Sequence, residues 1–144
     1  MLSREPSARA EVPDLHLSEA LRSECQRWME TARPLEACGL LIGTMTSSEH
    51  VVIRIAPIEN LASGEGAFEL EPSAWHRAEL AAREEGLAVL GVWHSHPKTS
   101  AEPSARDLTG AQAGWSHLIC AAKGESAFRS YYSLAGELLE QELH

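Results

Sequence analysis

The chain has 144 residues, 44% of them hydrophobic, which suits one domain able to bury a core without staples. Its 12 basic and 21 acidic residues leave a net charge of −9, which excludes the basic surface that non-specific nucleic-acid binding needs. Three cysteines, Cys25, Cys38 and Cys120, form no paired framework and fit a reducing compartment. With no apolar run long enough to span a membrane and no signal-peptide core, the chain reads as cytoplasmic.

Residues 1–14 are polar, carry Pro6 and Pro13, and are expected to be a flexible tail ahead of a single domain over 15–144. Leu17, Leu21, Cys25 and Trp28/Met29 recur at helical spacing, predicting a helix over 18–31 with Trp28 in the core. Pro34 breaks it, and an apolar strand follows over 37–44. A second strand covers 51–58, with Val51, Ile53 and Ile55 on one face. Residues 60–66 are a glycine-containing loop, 68–71 a short strand, and 72–85 a helix opened by Pro72 and stopped by Gly86.

The strand over 87–96 has Leu90, Val92, His94 and His96 on one face and Val89, Trp93 and Ser95 on the other. Both faces begin apolar, so the strand belongs inside the sheet. After a polar loop, 104–114 reads as a helix, followed by strands over 116–122, 126–134 and 137–143. Phe128, Tyr132 and Leu134 are expected to face the core, with Tyr131 on the opposite face. The order is a mixed α/β layer arrangement, not a repeating parallel βαβ series.

The chemistry concentrates in His94-Ser-His96-Pro97 and Ser104-Ala-Arg-Asp107. Two residues of strand rise separate the histidine Cα atoms by roughly 7 Å, from which two imidazoles can converge on one ion. Ser104 reads as a helix N-cap with Asp107 at the third helical position, which turns the carboxylate back toward the histidines. Two nitrogens and one oxygen leave a fourth tetrahedral position for water, the mark of a catalytic zinc site rather than a structural one. Each part alone has a plain structural reading: a strand-end histidine pair, a capping carboxylate, a capping serine. Their joint occurrence, with Pro97 and Pro103 at fixed offsets, favours a metal.

Glu36 opens the strand over 37–44. If that strand lies beside the histidine strand, its carboxylate can take a proton from water acidified by zinc and later hand it to a leaving amine. The other histidines, His16, His50, His76, His117 and His144, lack ligand spacing and read as surface or packed residues, with His117 the least settled. Cys38 and Cys120 read as buried small hydrophobes.

A glutamate upstream, then His-x-His-Pro, a spacer and Ser-x-x-Asp is the signature of the JAMM (JAB/MPN, MPN-plus) metalloproteases, and the chain resembles their short prokaryotic members. Weaker similarity extends over Pro34–Gly43, Asn60, Phe68–Pro72 and Gly91–His96. The resemblance implies a JAB/MPN fold: a curved mixed β-sheet flanked by helices, resembling the cytidine deaminase core. It implies that His94, His96 and Asp107 bind Zn2+, that Glu36 is general base and then acid, and that Ser104 stabilises the oxyanion. The implied activity is a zinc-dependent isopeptidase or peptidase, deubiquitinase-like. It would hydrolyse an amide after the C-terminal Gly-Gly of a ubiquitin-like or sulfur-carrier protein.

Two alternatives stand beside it: a hydrolase of small peptides or amides without a carrier partner, and a metal-binding scaffold. Glu36 and Ser104 speak against the scaffold, which needs neither. A nucleoside deaminase would need His-x-Glu and Pro-Cys-x-x-Cys, and both are missing. The short chain leaves little room for the insertions with which larger deubiquitinases grip ubiquitin. The stretch 56–66 is a candidate edge for an extended tail.

Overall fold

The computed structural model describes residues 11–109, 111–124 and 126–144. Among these residues seven strands and three helices follow in the order β1 (Asp14–His16), α1 (Glu19–Ala32), β2 (Cys38–Met45), β3 (Glu49–Ile58), α2 (Pro72–Glu84), β4 (Ala88–His96), α3 (Ala105–Thr109), β5 (Ser116–Ala121), β6 (Phe128–Leu134) and β7 (Glu137–Gln141). All strands join one mixed sheet in the order β1-β3-β2-β4-β5-β6-β7. The β1–β3 and β4–β5 pairs are parallel, and the other neighbours are antiparallel.

The expected tail over 1–14 is corrected at its end, its first ten residues lying outside the described ones. Pro13 is fully buried, Gln141 donates to its carbonyl at 2.9 Å, and Asp14 begins β1. The amide of Leu15 donates to Glu142 at 2.8 Å and its carbonyl accepts from His144 at 2.9 Å, so the C-terminal segment pairs with β1 as β3 does on the other side. Three residues bordered by strand on both sides have their backbone groups satisfied, which composition alone does not reveal.

Helix α1 packs Cys25 and Met29 against Leu41, Ile55, Trp93 and Leu118 on one face of the sheet. Ser18 caps it by accepting from the Leu21 amide. Trp28 does not join this core: it is 39% exposed, because the line through Leu21, Cys25 and Met29 runs past it. On the other face α2 covers Leu40, Ile42 and Val92, with Ala82 and Trp75 in contact. Glu71 caps α2 through the amides of Ser73 and Ala74, and Pro72 occupies its first turn.

Two β-bulges reset the side-chain parity. Leu41 pairs with Gly91 but Ile42 with Val89, which leaves Leu90 as an extra residue in β4. Leu90 therefore joins the α1-side core with Trp93, and Val89 packs with Val92 on the α2 side, the reverse of strict alternation. In β3, Ile42 pairs with Arg54 and Gly43 with Val52, so Ile53 is the extra residue. Ile53 is 52% exposed while Val52 and Ile55 are buried, which overturns the expected Val51/Ile53/Ile55 face.

Other expectations shift in detail. The strand over 68–71 reduces to one bridge between Asn60 and Leu70. The helix over 104–114 shortens to Ala105–Thr109. Phe128 joins the main core, but Tyr132 and Leu134 are only half-buried. Tyr131 lies opposite, as its parity requires, and is buried with Ala101 and Ile119. Its hydroxyl donates to the Ala101 carbonyl at 2.8 Å, tying β6 to the loop after β4.

Asn60 holds the other loop. Its side-chain amide donates to the carbonyls of Glu36 (2.9 Å) and Ala67 (3.1 Å), and its Oδ1 accepts from the amides of Ala62 and Glu69 (both 2.9 Å). One side chain thus satisfies four backbone groups and joins the start of β2 to the segment before α2. Replacing Asn60 by Ala should destabilise the fold by about 1–3 kcal/mol in urea unfolding, because these partners lose their hydrogen bonds. Gly91 is a second constraint: a Cβ there would meet the Ser116 carbonyl oxygen at 2.0 Å. Gly91→Ala should cost about 1–3 kcal/mol or more, since backbone on backbone has little room to relax; an unchanged urea midpoint would contradict this packing.

Candidate metal centre

The site begins with strand pairing. In the antiparallel β2–β4 ladder Cys38 faces His94, which places the residues just before β2 beside the end of the histidine strand. The Ser95 amide donates to the Ala37 carbonyl at 2.9 Å, and the Ala37 amide donates to Ser95 Oγ at 2.8 Å. These bonds fix the segment carrying Glu36. Its carboxylate lies within 4.8 Å of ring nitrogens of both His94 and His96. The condition that spacing left open, that the two strands be neighbours, is met.

Both histidines are buried, and so is Asp107 at 8% exposure. Nε2 of His94 and Nε2 of His96 are 3.1 Å apart. Asp107 Oδ2 lies 3.3 Å from the first and 3.5 Å from the second. A tetrahedral zinc with bonds of roughly 2.0–2.1 Å holds neighbouring ligand atoms roughly 3.3–3.4 Å apart. The three atoms therefore have the mutual spacing that one small ion requires.

The surroundings orient each candidate ligand. His96 Nδ1 donates to the Ser100 carbonyl at 2.8 Å, which leaves the Nε2 lone pair toward Asp107 and His94. Phe68 stacks on the His94 ring at a centroid distance of 4.4 Å. The Ser104 amide donates to Asp107 Oδ2 at 2.7 Å, and the Asp107 amide donates to Ser104 Oγ at 3.1 Å. This reciprocal cap is the expected one, and it aims the carboxylate at the histidines. Ser104 itself is exposed.

Charge and burial act against each other here. Burial pushes the Glu36 carboxyl up, and Asp107 adds to this, while the two histidines pull it down; the net direction is upward. For Asp107 burial also works upward, but the neighbouring His94 and His96 and the Ser104 amide outweigh it and hold the carboxyl well below its ordinary value. The thiols are inert. Burial raises Cys38 to about 12, and its Sγ donates to the Ile58 carbonyl. All three cysteines are free and buried, as their apolar surroundings predict.

His117, the unsettled histidine, is 4% exposed on β5, opposite Val92. Burial pushes its pKa down to about 4, so its ring is neutral near pH 7. It was not singled out from sequence because a single histidine in a strand carries no spacing signal. Phe68 and Ser95 lie in stretches that carry the family resemblance and Ser100 in a loop, but nothing in the sequence marks any of them as orienting the site. The bonds that hold the Glu36 segment come from residues 24–58 positions distant, and the one on His96 goes to a backbone carbonyl, which no pattern marks.

With this geometry in hand, comparison with known proteins is informative. The family described as prokaryotic homologs of the JAB domain matches residues 18–132. Over 115 residues the chain is 32% identical to a probable TtuB-protein conjugate cleaving protease of Thermus thermophilus, covering 79% of this chain and 74% of that one. It is 34% identical over 76 residues to a desampylase of Pyrococcus furiosus, 53% of this chain and 51% of that protein. A solution structure of a protein from Desulfitobacterium hafniense superposes with a TM-score of 0.82 at 30% identity, covering 90% of this chain and 91% of its own. The chain belongs to the prokaryotic JAB family.

Proposed function

We propose that the protein is a zinc-dependent isopeptidase or peptidase that hydrolyses an amide formed on the C-terminal glycine of a ubiquitin-like or sulfur-carrier protein. One observation carries this: three ligand-type atoms of His94, His96 and Asp107 lie 3.1–3.5 Å apart, with the Glu36 carboxylate beside them. The conjugate-cleaving protease and desampylase among its relatives support the substrate class.

The donor set fits zinc: two imidazoles with Nε2 turned inward and one carboxylate, and none of the three cysteines sits in it. Zinc, when bound, supplies Lewis acidity that polarises the scissile carbonyl and lowers the pKa of water. The chain's residues do the rest. Glu36 takes the proton of the attacking water as its oxygen bonds to the carbonyl carbon. When the C–N bond breaks, Glu36 passes that proton to the departing nitrogen, giving an amine and a carboxylic acid, which then ionises. Ser104 Oγ accepts from the Asp107 amide, so its hydroxyl hydrogen is left to donate to the carbonyl oxygen as charge develops there.

Metal analysis should find one zinc per chain after purification with added zinc, and His94→Ala, His96→Ala and Asp107→Ala should each lose it. Glu36→Gln should keep the metal and lose nearly all turnover of a carrier adduct followed by intact mass spectrometry. If Glu36→Gln instead emptied the site, the assignment of base and ligands would be wrong. Ser104→Ala should also keep zinc and lower kcat by roughly 10²–10³, the range seen when one oxyanion donor is removed. Faster cleavage of unrelated short peptides than of glycine-ended carriers would replace the carrier reading with that of a general peptidase.

A further inference from the structure

Beside the metal centre lies a cavity of about 270 Å³ that the catalytic scheme does not use. It adjoins the site, because Asp107 and Phe68, the ring that stacks on His94, line it. Its apolar walls are the half-buried rings of Phe68, Trp75 and Trp115, the last two 5.4 Å apart at 53°. Exposed Arg106 and Gln112 complete the lining. The cavity is smaller than a typical pocket for a drug-sized molecule and suits one residue.

Arg106 is the charge that the fold leaves unused. Successive residues of a helix point roughly 100° apart, so with Asp107 aimed at the histidines Arg106 is turned off the cluster and along the cavity. The cations of the neighbouring loops are engaged: Arg33 donates to the Pro97 carbonyl and to Glu30, and Lys98 pairs with Glu65. Arg106 makes no hydrogen bond or ion pair among the described residues, although exposed Glu69 lines the same cavity. Its field still reaches the reacting groups. Burial raises the Glu36 carboxyl, and Arg106, after the two histidines, pulls it down. The chain has 21 acidic residues for 12 basic ones, and this guanidinium keeps its donors for an acceptor from outside.

A guanidinium matches a carboxylate best, through two parallel hydrogen bonds. The aromatic walls ask for an apolar stem beside that carboxylate, which a bare inorganic anion lacks. A terminal glycine has no side chain to offer either feature, so another residue of the substrate must meet them. Resting on the hydrolysis proposed above, we propose that Arg106 and this cavity bind a substrate residue that carries a carboxylate on an apolar stem near the hydrolysed amide. The stem lies against Trp75 and Trp115, and the carboxylate pairs with the guanidinium. Such a carboxylate has two sources: an acidic side chain in the carrier's tail, or the free α-carboxylate of an amino acid joined through its nitrogen to the terminal glycine.

The test compares kcat/KM of zinc-loaded protein on synthetic acetylated tails, in pairs that differ by one charge. One pair ends in Glu-Gly-Gly or Gln-Gly-Gly joined to a neutral amine. The other ends in Gln-Gly-Gly joined to leucine or to leucinamide. Release of the tail is followed by mass spectrometry. In at least one pair the acid should be preferred roughly fivefold or more at low salt, the upper range for an exposed ion pair, and less at high salt. The pair that shows it names the source. Arg106→Gln should erase the preference and Arg106→Glu should invert it, both with zinc content unchanged, an outcome that a merely structural role for Arg106 does not give. Trp115→Ala should slow both members of that pair alike. No preference in either pair, or one that survives Arg106→Gln, would overturn the proposal. Calorimetric titration of the same compounds separates this from the catalytic reading. Preference in binding without turnover sinks the hydrolase and leaves the site; turnover of all the substrates with equal efficiency does the reverse.

Discussion

The antiparallel pairing of β2 with β4 is the constraint on which the site depends. It sets Cys38 opposite His94 and so carries Glu36 to the end of the histidine strand. Both strands are buried along most of their length, and the approach is close. A Cβ on Gly39 would meet the Ala56 carbonyl oxygen at 2.1 Å, and one on Gly43 would meet that of Val51 at 1.9 Å. Glycines in β2 thus leave room for the backbone of β3 where a side chain would collide. The bulges opposite Ile42 then shift the parity of β3 and β4, so that Leu90 and Trp93 turn to the α1 side while Val89 and Val92 turn to the α2 side. The histidines follow after this adjustment, on the face that α3 and Phe68 close.

The cluster of candidate ligands is expensive to bury, and the structure shows how the cost is offset. An isolated buried carboxylate would shift its pKa and become neutral. Asp107 instead accepts from the Ser104 amide and lies against two imidazoles, so its ionised form is favoured despite burial. Among the described residues no hydrogen bond reaches the Glu36 carboxylate, and burial raises it. Two carboxylates in one cleft are thereby driven apart in basicity. This is the separation that a fixed ligand and a mobile proton carrier require.

Much of this was legible in the sequence, and the limits are physical. The helix cap at Ser104 and the turn-back of Asp107 follow from local geometry, so four residues suffice to predict them. The histidines on one strand follow from period two over a stretch with no bulge between them. Beyond the bulge the same rule misplaced Leu90 and Val89, and in β3 it misplaced Val51 and Ile53. An extra residue leaves no mark on composition. Asp14 and Pro13 looked like tail because their partners, Ser48 and Gln141, are distant in sequence. Helical spacing admits either Trp28 or Met29 to the core side, and the helix buries the line through Cys25 and Met29. The Trp28 ring instead borders a groove with Leu35 and Ile58 near Glu36.

Access is the last link between the fold and the proposed substrate. The ligand atoms lie beneath Phe68, which stacks on His94, and between two loops that meet through the Lys98–Glu65 ion pair. That pair is exposed on both sides and contributes at most about 1 kcal/mol, so it marks the approach of the loops without locking them. The walls behind it are rigid by contrast. Asn60 fixes the Glu69 amide and the Ala67 carbonyl, and Tyr131 fixes the Ala101 carbonyl. A rigid cleft with a weakly tied mouth admits a thin chain more readily than a folded surface. A tail that ends in glycines is the thinnest chain available, and it lets the carbonyl approach buried ligands that a larger residue would keep away.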